Sequence, residues 1–198
     1  MKLYYIQGTC ALAPHIFARH AGIPLQAVRV EWTPDGKFVG PRNYEEINPK
    51  GKVPALDTGE AIITETQVIL QYLSGFDASQ PAVRGTSVEW PLLELLNFVA
   101  TELHKAFSPL WLPSLARGIA REEQIGVLMR NFRTFETLLG DKDFLMGDRF
   151  TVVDAYAYTV LRWCDVHRID LSGLDAIQRY RERIFRLPAT RQALAEQA

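Results

Sequence analysis

Residues 52–67, KVPALDTGEAIITETQ, decide the fold of this chain. Two short apolar runs, 52–56 and 61–64, are separated by a polar turn that contains glycine, and this pattern predicts a β-hairpin. Thr64 and Gln67 have the spacing of a capping box, which predicts that a helix begins at Thr64. The stretch is therefore predicted to form strand, turn, strand and helix.

The residues before this hairpin predict a strand, a helix and a second strand. Segment 2–6 is a short apolar run, 12–21 has apolar residues at helical spacing, and 27–32 alternates like a half-buried strand. A strand, helix and strand in this order normally form a right-handed parallel crossover. Followed by a hairpin and a helix, the unit has the order of elements of a thioredoxin-like domain.

The second half of the chain loses strand patterns and shows apolar residues at helical period. Pro109 and Pro113 are predicted to interrupt the helical pattern after the first of these helices. Thr151 and Asp154 form another capping box, which predicts a helix start. The predicted helices cover 92–107, 122–139, 152–164, 174–186 and the tail after 188. We expect a thioredoxin-like domain over 1–77, a linker over 78–86 and an all-helical domain over 87–198.

Composition limits the classes of partner. The 198 residues are 47% hydrophobic and carry 22 basic and 23 acidic side chains, a net charge of −1. Without a basic field, nucleic acid and anionic membranes are not expected partners, and small molecules or protein are. No apolar stretch has the length of a membrane span, and the first residues lack the pattern of a signal peptide, so we expect a cytoplasmic protein.

The two cysteines have different settings. Cys10 lies between a predicted strand and helix, where the free N–H groups of the next turn predict a lowered thiol pKa. The alternative for any isolated cysteine is a small buried apolar side chain, and this is our expectation for Cys164. No metal is expected, because spacing suited to a zinc site is lacking around His15, His20 and His167.

Several of these motifs together resemble beta-class glutathione transferases. They are MKLYY at the start with Cys10, INPKG running into VPAL over 47–56, and Thr64 and Glu65 before a helix. The resemblance continues through NF, TELHK and FSP over 97–109 and through Gly147 to Asp154. Many transferase classes share VPAL, whereas Cys10 together with HK at 104–105 narrows the match to this class.

The resemblance implies a glutathione site in the N-terminal domain. Pro54 is expected to follow a cis peptide bond that aims the backbone of Val53, next to Lys52, at the cysteinyl part of glutathione; an ordinary trans proline is the alternative. Thr66 is expected to bind the γ-glutamyl carboxylate through its N–H and hydroxyl, and Glu65 to pair with the ammonium. Plain helix capping would explain the same two residues without a ligand.

The resemblance also implies the catalytic residues. Cys10 is expected to face the glutathione sulfur, either donating a hydrogen bond to a bound thiolate or forming a mixed disulfide with it. His104 and Lys105 are expected near the thiol, where either can lower its pKa, or His104 can accept its proton. Lys105 has two further possibilities, binding the glycyl carboxylate or lying solvated on the surface. Asn97 is expected to reach the site from a neighbouring subunit.

The expected function is that of a glutathione transferase, with glutathione as co-substrate and an apolar electrophile as acceptor. Ala11 stands where the class usually has Ser, and Gln7 where Pro is common, so one hydroxyl donor is missing while the Cys10 thiol remains. The alternatives are Cys10-dependent thiol–disulfide exchange or peroxide reduction, and a non-catalytic binding module. A homodimer is expected, as in other transferases of this architecture.

Overall fold

A computed structural model of the chain describes residues 1–33, 38–40, 43–77, 85–111, 118 and 120–198. It divides into two compact units. The first comprises Met1–Thr86 together with Leu187–Ala198, and the second comprises Ser87–Arg186. Within the described part of the chain, no helix is both long and apolar enough to cross a membrane.

The first unit is built on a four-stranded sheet. Its elements are β1 (Lys2–Tyr5), α1 (Leu12–His20), β2 (Gln26–Arg29), β3 (Glu31–Trp32), β4 (Phe38–Val39), α2 (Tyr44–Ile47), β5 (Ala55–Asp57), β6 (Ile62–Thr64) and α3 (Thr66–Ser74). The strand order is β2-β1-β5-β6, and β3 and β4 form a separate pair. β1 pairs with β2 in parallel and with β5 antiparallel, and β5 pairs antiparallel with β6. The predicted parallel pairing of the first two strands and the predicted hairpin are therefore confirmed.

The hairpin places the start of α3 differently from the sequence prediction. Thr64 is the last residue of β6 and pairs with Ala55, so it is not a helix cap. α3 begins at Thr66, and the preceding residue, Glu65, makes no side-chain capping bond. The predicted capping box is thus wrong, because pairing in the sheet keeps the backbone of Thr64 extended.

The second unit is helical. Its elements are α4 (Glu89–Phe98), a π-helical segment (Val99–His104), α5 (Lys105–Trp111), α6 (Arg121–Leu139), α7 (Val152–Leu161), α8 (Trp163–Val166) and α9 (Asp175–Arg186). Pro109 lies inside α5 and does not interrupt it, against the prediction, and Pro113 lies outside the described residues. Proline removes only one ladder hydrogen bond, and packing of α5 on α6 supports the remaining ones.

The capping box at the start of α7 is confirmed. The backbone N–H of Thr151 donates to Asp154 Oδ2 over 2.8 Å, and the Thr151 hydroxyl accepts from the backbone of Val153. Asp154 is fully buried and also accepts from Leu145 N–H and the Tyr180 hydroxyl. The carboxylate therefore ties α7 to the loop before it and to α9.

The last helix, α10 (Pro188–Glu196), belongs to the first unit, whereas the sequence analysis placed it with the other C-terminal helices. It packs against α1. Glu196 accepts hydrogen bonds from Arg19 over 2.8 Å and shares one of 2.7 Å with His15, which is fully buried. Gln197 bonds the other ring nitrogen of His15. Polar contacts with α1 therefore help to hold this helix in the first unit.

Candidate active site

Cys10 and the Val53–Pro54 turn meet in the first unit. Cys10 stands two residues before α1, in the loop that leaves β1, and is 7% exposed. Its Sγ donates a hydrogen bond to the Val53 carbonyl oxygen over 3.6 Å. The Val53–Pro54 peptide bond is cis, which confirms that prediction. Two segments more than 40 residues apart in sequence are therefore joined at the thiol.

The start of α3 also lies beside the Cys10 thiol. The Thr66 side chain lies close enough to the Cys10 thiol to lower its pKa, and the Glu65 carboxylate lies within electrostatic range of the thiol. Thr66 is itself buried. Glu65 has φ 68° and ψ 121°, a conformation that costs a non-glycine residue about 1–3 kcal/mol. Backbone strain of this size is concentrated at functional sites in proteins.

Burial governs the acidity of the thiol. The pKa of Cys10 is raised to about 11, mainly by burial and to a smaller extent by the nearby Glu65 carboxylate. The hydrogen bonds from the Thr66 side chain and from the backbone at Cys10 lower it, but by less. The prediction of a lowered pKa is wrong, because the loop that places Cys10 ahead of α1 also removes its sulfur from water.

The backbone of Lys52, the residue before Val53, is held by two side chains that the sequence analysis did not identify. The Tyr44 hydroxyl and the Asn48 amide both donate to the Lys52 carbonyl oxygen, each over 2.6 Å. Asn48 is 1% exposed, and its Oδ1 accepts from the N–H of Lys50. Tyr44 packs in a core cluster against which Val53 also lies. Lys52 itself has an exposed side chain, so its carbonyl is the fixed part.

Glu65 is paired within the protein. Its carboxylate accepts a hydrogen bond from Lys50 Nζ, in an ion pair whose two side chains are about half exposed. A pair this exposed contributes little to stability and exchanges readily for another cation. The carboxylate therefore remains available to a ligand ammonium group.

The other three predicted site residues lie in the second unit. Asn97 is exposed on α4, and its backbone carbonyl accepts from Thr101. Lys105 is exposed at the start of α5. His104 ends the π-helical segment, and its Nδ1 shares a hydrogen bond of 2.7 Å with the Tyr156 hydroxyl. The structure thus groups Cys10, Val53, Glu65 and Thr66 in one unit and the remaining three residues in the other.

Comparison with known proteins assigns the family. The chain matches the glutathione S-transferase N-terminal domain over residues 9–74 and the glutathione S-transferase C-terminal domain over residues 98–188. It is 35% identical to glutathione S-transferase GstA of Escherichia coli O157:H7, with 98% of each chain covered.

The chain belongs to the glutathione S-transferase family.

Two solved structures agree with this assignment. A bacterial beta-class glutathione S-transferase from Sphingomonas chungbukensis has a TM-score of 0.88 at 32% identity, covering 100% of this chain and 99% of the other. A Sphingomonad glutathione S-transferase complexed with glutathione has a TM-score of 0.86 at 31% identity, covering 100% and 98%. The predicted fold class, a thioredoxin-like domain and a helical domain, is confirmed.

In this glutathione S-transferase, the substitution at position 11 is accommodated locally. Ala11 is fully buried and flanks the start of α1 without a side-chain cap. Its backbone N–H donates to the Thr9 hydroxyl over 3.4 Å, and that hydroxyl donates to the Ile6 carbonyl. The Thr9 hydroxyl therefore holds the loop ahead of α1. A serine at position 11 would add a second hydroxyl to this loop.

The sequence carried one usable signal for the missed residues of this transferase. Asn48 precedes Pro49, and asparagine before proline is typical of a turn in which the amide bonds nearby backbone. Tyr44 had no such signal, since its bond to Lys52 crosses from α2 to a loop. Among the described residues, no group of three or more His, Cys, Asp or Glu is placed to hold a metal ion.

Proposed function

We propose that this protein is a glutathione transferase that binds glutathione in its first unit and transfers the glutathione sulfur to an apolar electrophile. The observation that carries the proposal is the convergence of the Cys10 thiol, the Val53 backbone beside cis-Pro54 and the N-terminus of α3. The Sphingomonad relative, 31% identical, was solved in complex with glutathione.

The γ-glutamyl and cysteinyl parts of the tripeptide have proposed partners in the first unit. The γ-glutamyl carboxylate binds the N–H groups and hydroxyl at Thr66, where the helix dipole of α3 favours an anion. The ligand ammonium replaces Lys50 on the Glu65 carboxylate, an exchange of one surface cation for another. The cysteinyl backbone pairs with Val53, whose position depends on the Lys52 carbonyl bonds.

The glycyl end and the electrophile involve the second unit in this proposal. Lys105 supplies a cation for the glycyl carboxylate, and Asn97 contributes from the neighbouring subunit. His104 assists ionisation of the ligand thiol. In the transfer itself the sulfur forms a bond to the electrophilic carbon, the leaving group departs with the bonding electrons, and the thiol proton passes to solvent.

Cys10 acts as a hydrogen-bond donor in this proposal. With its pKa raised to about 11, Cys10 remains a thiol at neutral pH, and a thiol donates while a thiolate attacks. The proton now directed at the Val53 carbonyl turns to the thiolate of bound glutathione. The raised pKa of Cys10 also disfavours thiol–disulfide exchange and peroxide reduction, because both need Cys10 as a thiolate.

Conjugation of a chloro-nitrobenzene to glutathione tests the proposal. We expect the wild type to release chloride and form the thioether, with Cys10→Ala and Cys10→Ser retaining binding of glutathione in calorimetry. Loss of activity in Cys10→Ala with recovery in Cys10→Ser, whose hydroxyl still donates, supports the donor role. Reduction of a glutathionylated substrate that disappears in Cys10→Ser would instead establish exchange. Folded protein that gives no heat with glutathione would refute both and leave a binding module.

We also propose a homodimer in the cytoplasm. Apolar side chains are exposed on both units, including Val68 and Phe76 in the first and Val88 and Trp90 in the second, with Trp90 70% exposed. An isologous dimer would cover them by joining one subunit's first unit to the other's second. Both cysteines are free, which suits the reducing cytoplasm. Sedimentation should give twice the 22.4 kDa chain mass, and fractionation should place the protein with cytoplasmic markers.

A further inference from the structure

The turn before Val53 places a lysine beside the proposed glutathione site. In this turn, over residues 48–51, the N–H of Gly51 donates to the Asn48 carbonyl over 2.9 Å, and Gly51 has φ 55°, a conformation that glycine adopts without strain. The buried Asn48 side chain accepts from the N–H of Lys50. The backbone of Lys50 is therefore fixed, while its side chain is 47% exposed and able to change partners.

The Lys50 ammonium group lies on the carboxylate to which the ligand ammonium is assigned. Lys50 Nζ donates to Glu65 Oε1, and the Glu65 side chain is 62% exposed. Glu65 makes no capping bond to α3, and no other cation pairs with it in the part of the chain that the structure describes. The lysine and the γ-glutamyl end of glutathione thus offer the same chemical group to the same oxygens.

The two ammonium groups cannot share Glu65 without cost. Both carry a full positive charge, and two like charges held on one carboxylate repel each other. Glutathione therefore binds to the fraction of protein in which Lys50 has left Glu65, and its apparent affinity is reduced by that fraction. A contact that exists in the free protein and is lost in the complex weakens binding.

We propose that Lys50 is an internal competitor of the glutathione ammonium group: it occupies Glu65 in the free protein, weakens glutathione binding, and is released when the ligand binds. The inference rests on the proposed function for its ligand. Only ionic contacts are exchanged, and no covalent bond or proton is transferred. Since glutathione carries a net negative charge, charge alone would make the loss of a nearby lysine weaken binding, whereas competition predicts the opposite sign.

Lys50→Met removes the ammonium group and keeps an unbranched side chain, and Lys2→Met is the matched control. Lys2 is an exposed lysine of the same unit, at the start of β1. In calorimetry, Lys50→Met should lower Kd for glutathione by about two- to fivefold, the range that one exposed ion pair supports. Lys50→Arg should raise Kd, because a guanidinium pairs with a carboxylate through two parallel bonds. Lys2→Met should leave Kd unchanged.

A second ligand and a labelling experiment isolate the exchange. Glutaryl-Cys-Gly is glutathione without its ammonium group, so it has no need to displace Lys50, and Lys50→Met should not lower its Kd. Acetic anhydride labels lysines, and peptide masses give the labelling of Lys50 relative to Lys2. Glu65→Gln should raise this ratio without any ligand, because it removes the ion pair. Saturating S-methylglutathione should raise it in the wild type, although a bound ligand ordinarily protects its site.

Three results would overturn the inference. The first is a Kd for glutathione that stays the same or rises in Lys50→Met. The second is an equal tightening of glutaryl-Cys-Gly in that variant. The third is a Lys50 labelling ratio that S-methylglutathione lowers or leaves unchanged. A folded wild type that gives no heat with glutathione would refute the proposed function and the competition with it, whereas the Glu65→Gln labelling would still test the ion pair, so the two failures are distinguishable.

Discussion

The acidity of Cys10 can be measured directly by its rate of alkylation with iodoacetamide. The variant to use is Cys164→Ala, which leaves Cys10 as the one thiol of the chain. Because burial raises the pKa of Cys10 from 9.0 to about 11, the thiolate fraction at pH 7.5 falls from about 1 in 30 to about 1 in 3,000. A more basic thiolate is also more nucleophilic, by about eightfold over two units of pKa.

The two effects combine to a rate about tenfold below that of an exposed model cysteine at pH 7.5. The assay is intact mass against time, from pH 6.5 to 9.5, in protein that remains folded by circular dichroism. The rate should rise about tenfold per pH unit with no plateau in this range. Saturating glutathione should slow it further, since the ligand covers the thiol.

A plateau that begins below pH 8 would refute this reasoning. It would mean that Cys10 is a thiolate near neutral pH, so that the N–H groups ahead of α1 outweigh the burial of the sulfur. Rapid formation of a glutathione adduct from oxidised glutathione in the same protein would then make thiol–disulfide exchange the better description of its function.

Three further predictions concern binding and stability. Asn48→Ala should weaken glutathione binding in calorimetry about fivefold, through loss of one of the two donors to the Lys52 carbonyl, whereas the exposed Asn43→Ala should not. Asp154→Ala should lower the free energy of unfolding in urea by about 3 kcal/mol, since it leaves buried donors unpaired. Burial lowers the pKa of His15, although its hydrogen bond to Glu196 acts in the opposite direction. The free energy of unfolding should therefore be highest above pH 6.5 and fall below it. His15→Gln should reduce this pH dependence, measured as the melting temperature against pH.

Local sequence was sufficient for most of the elements and for the family. The hairpin over 52–64 was readable because two apolar runs flank a glycine turn, and the Thr151–Asp154 box because both partners lie within one helical turn. Cys10, Val53, Glu65 and Thr66 were named from motifs that resemble beta-class transferases. All of these patterns depend on residues close together in the chain.

Contacts between residues distant in sequence determined the features that the sequence did not predict. The pKa of Cys10 depends on how completely folding removes its sulfur from water, and α10 joins α1 through Glu196, more than 170 residues from its partners. Thr64 pairs in a sheet instead of capping a helix, because β5 holds it extended. Desolvation and strand pairing are set by neighbours that are distant in sequence, so periodicity and local motifs do not determine them.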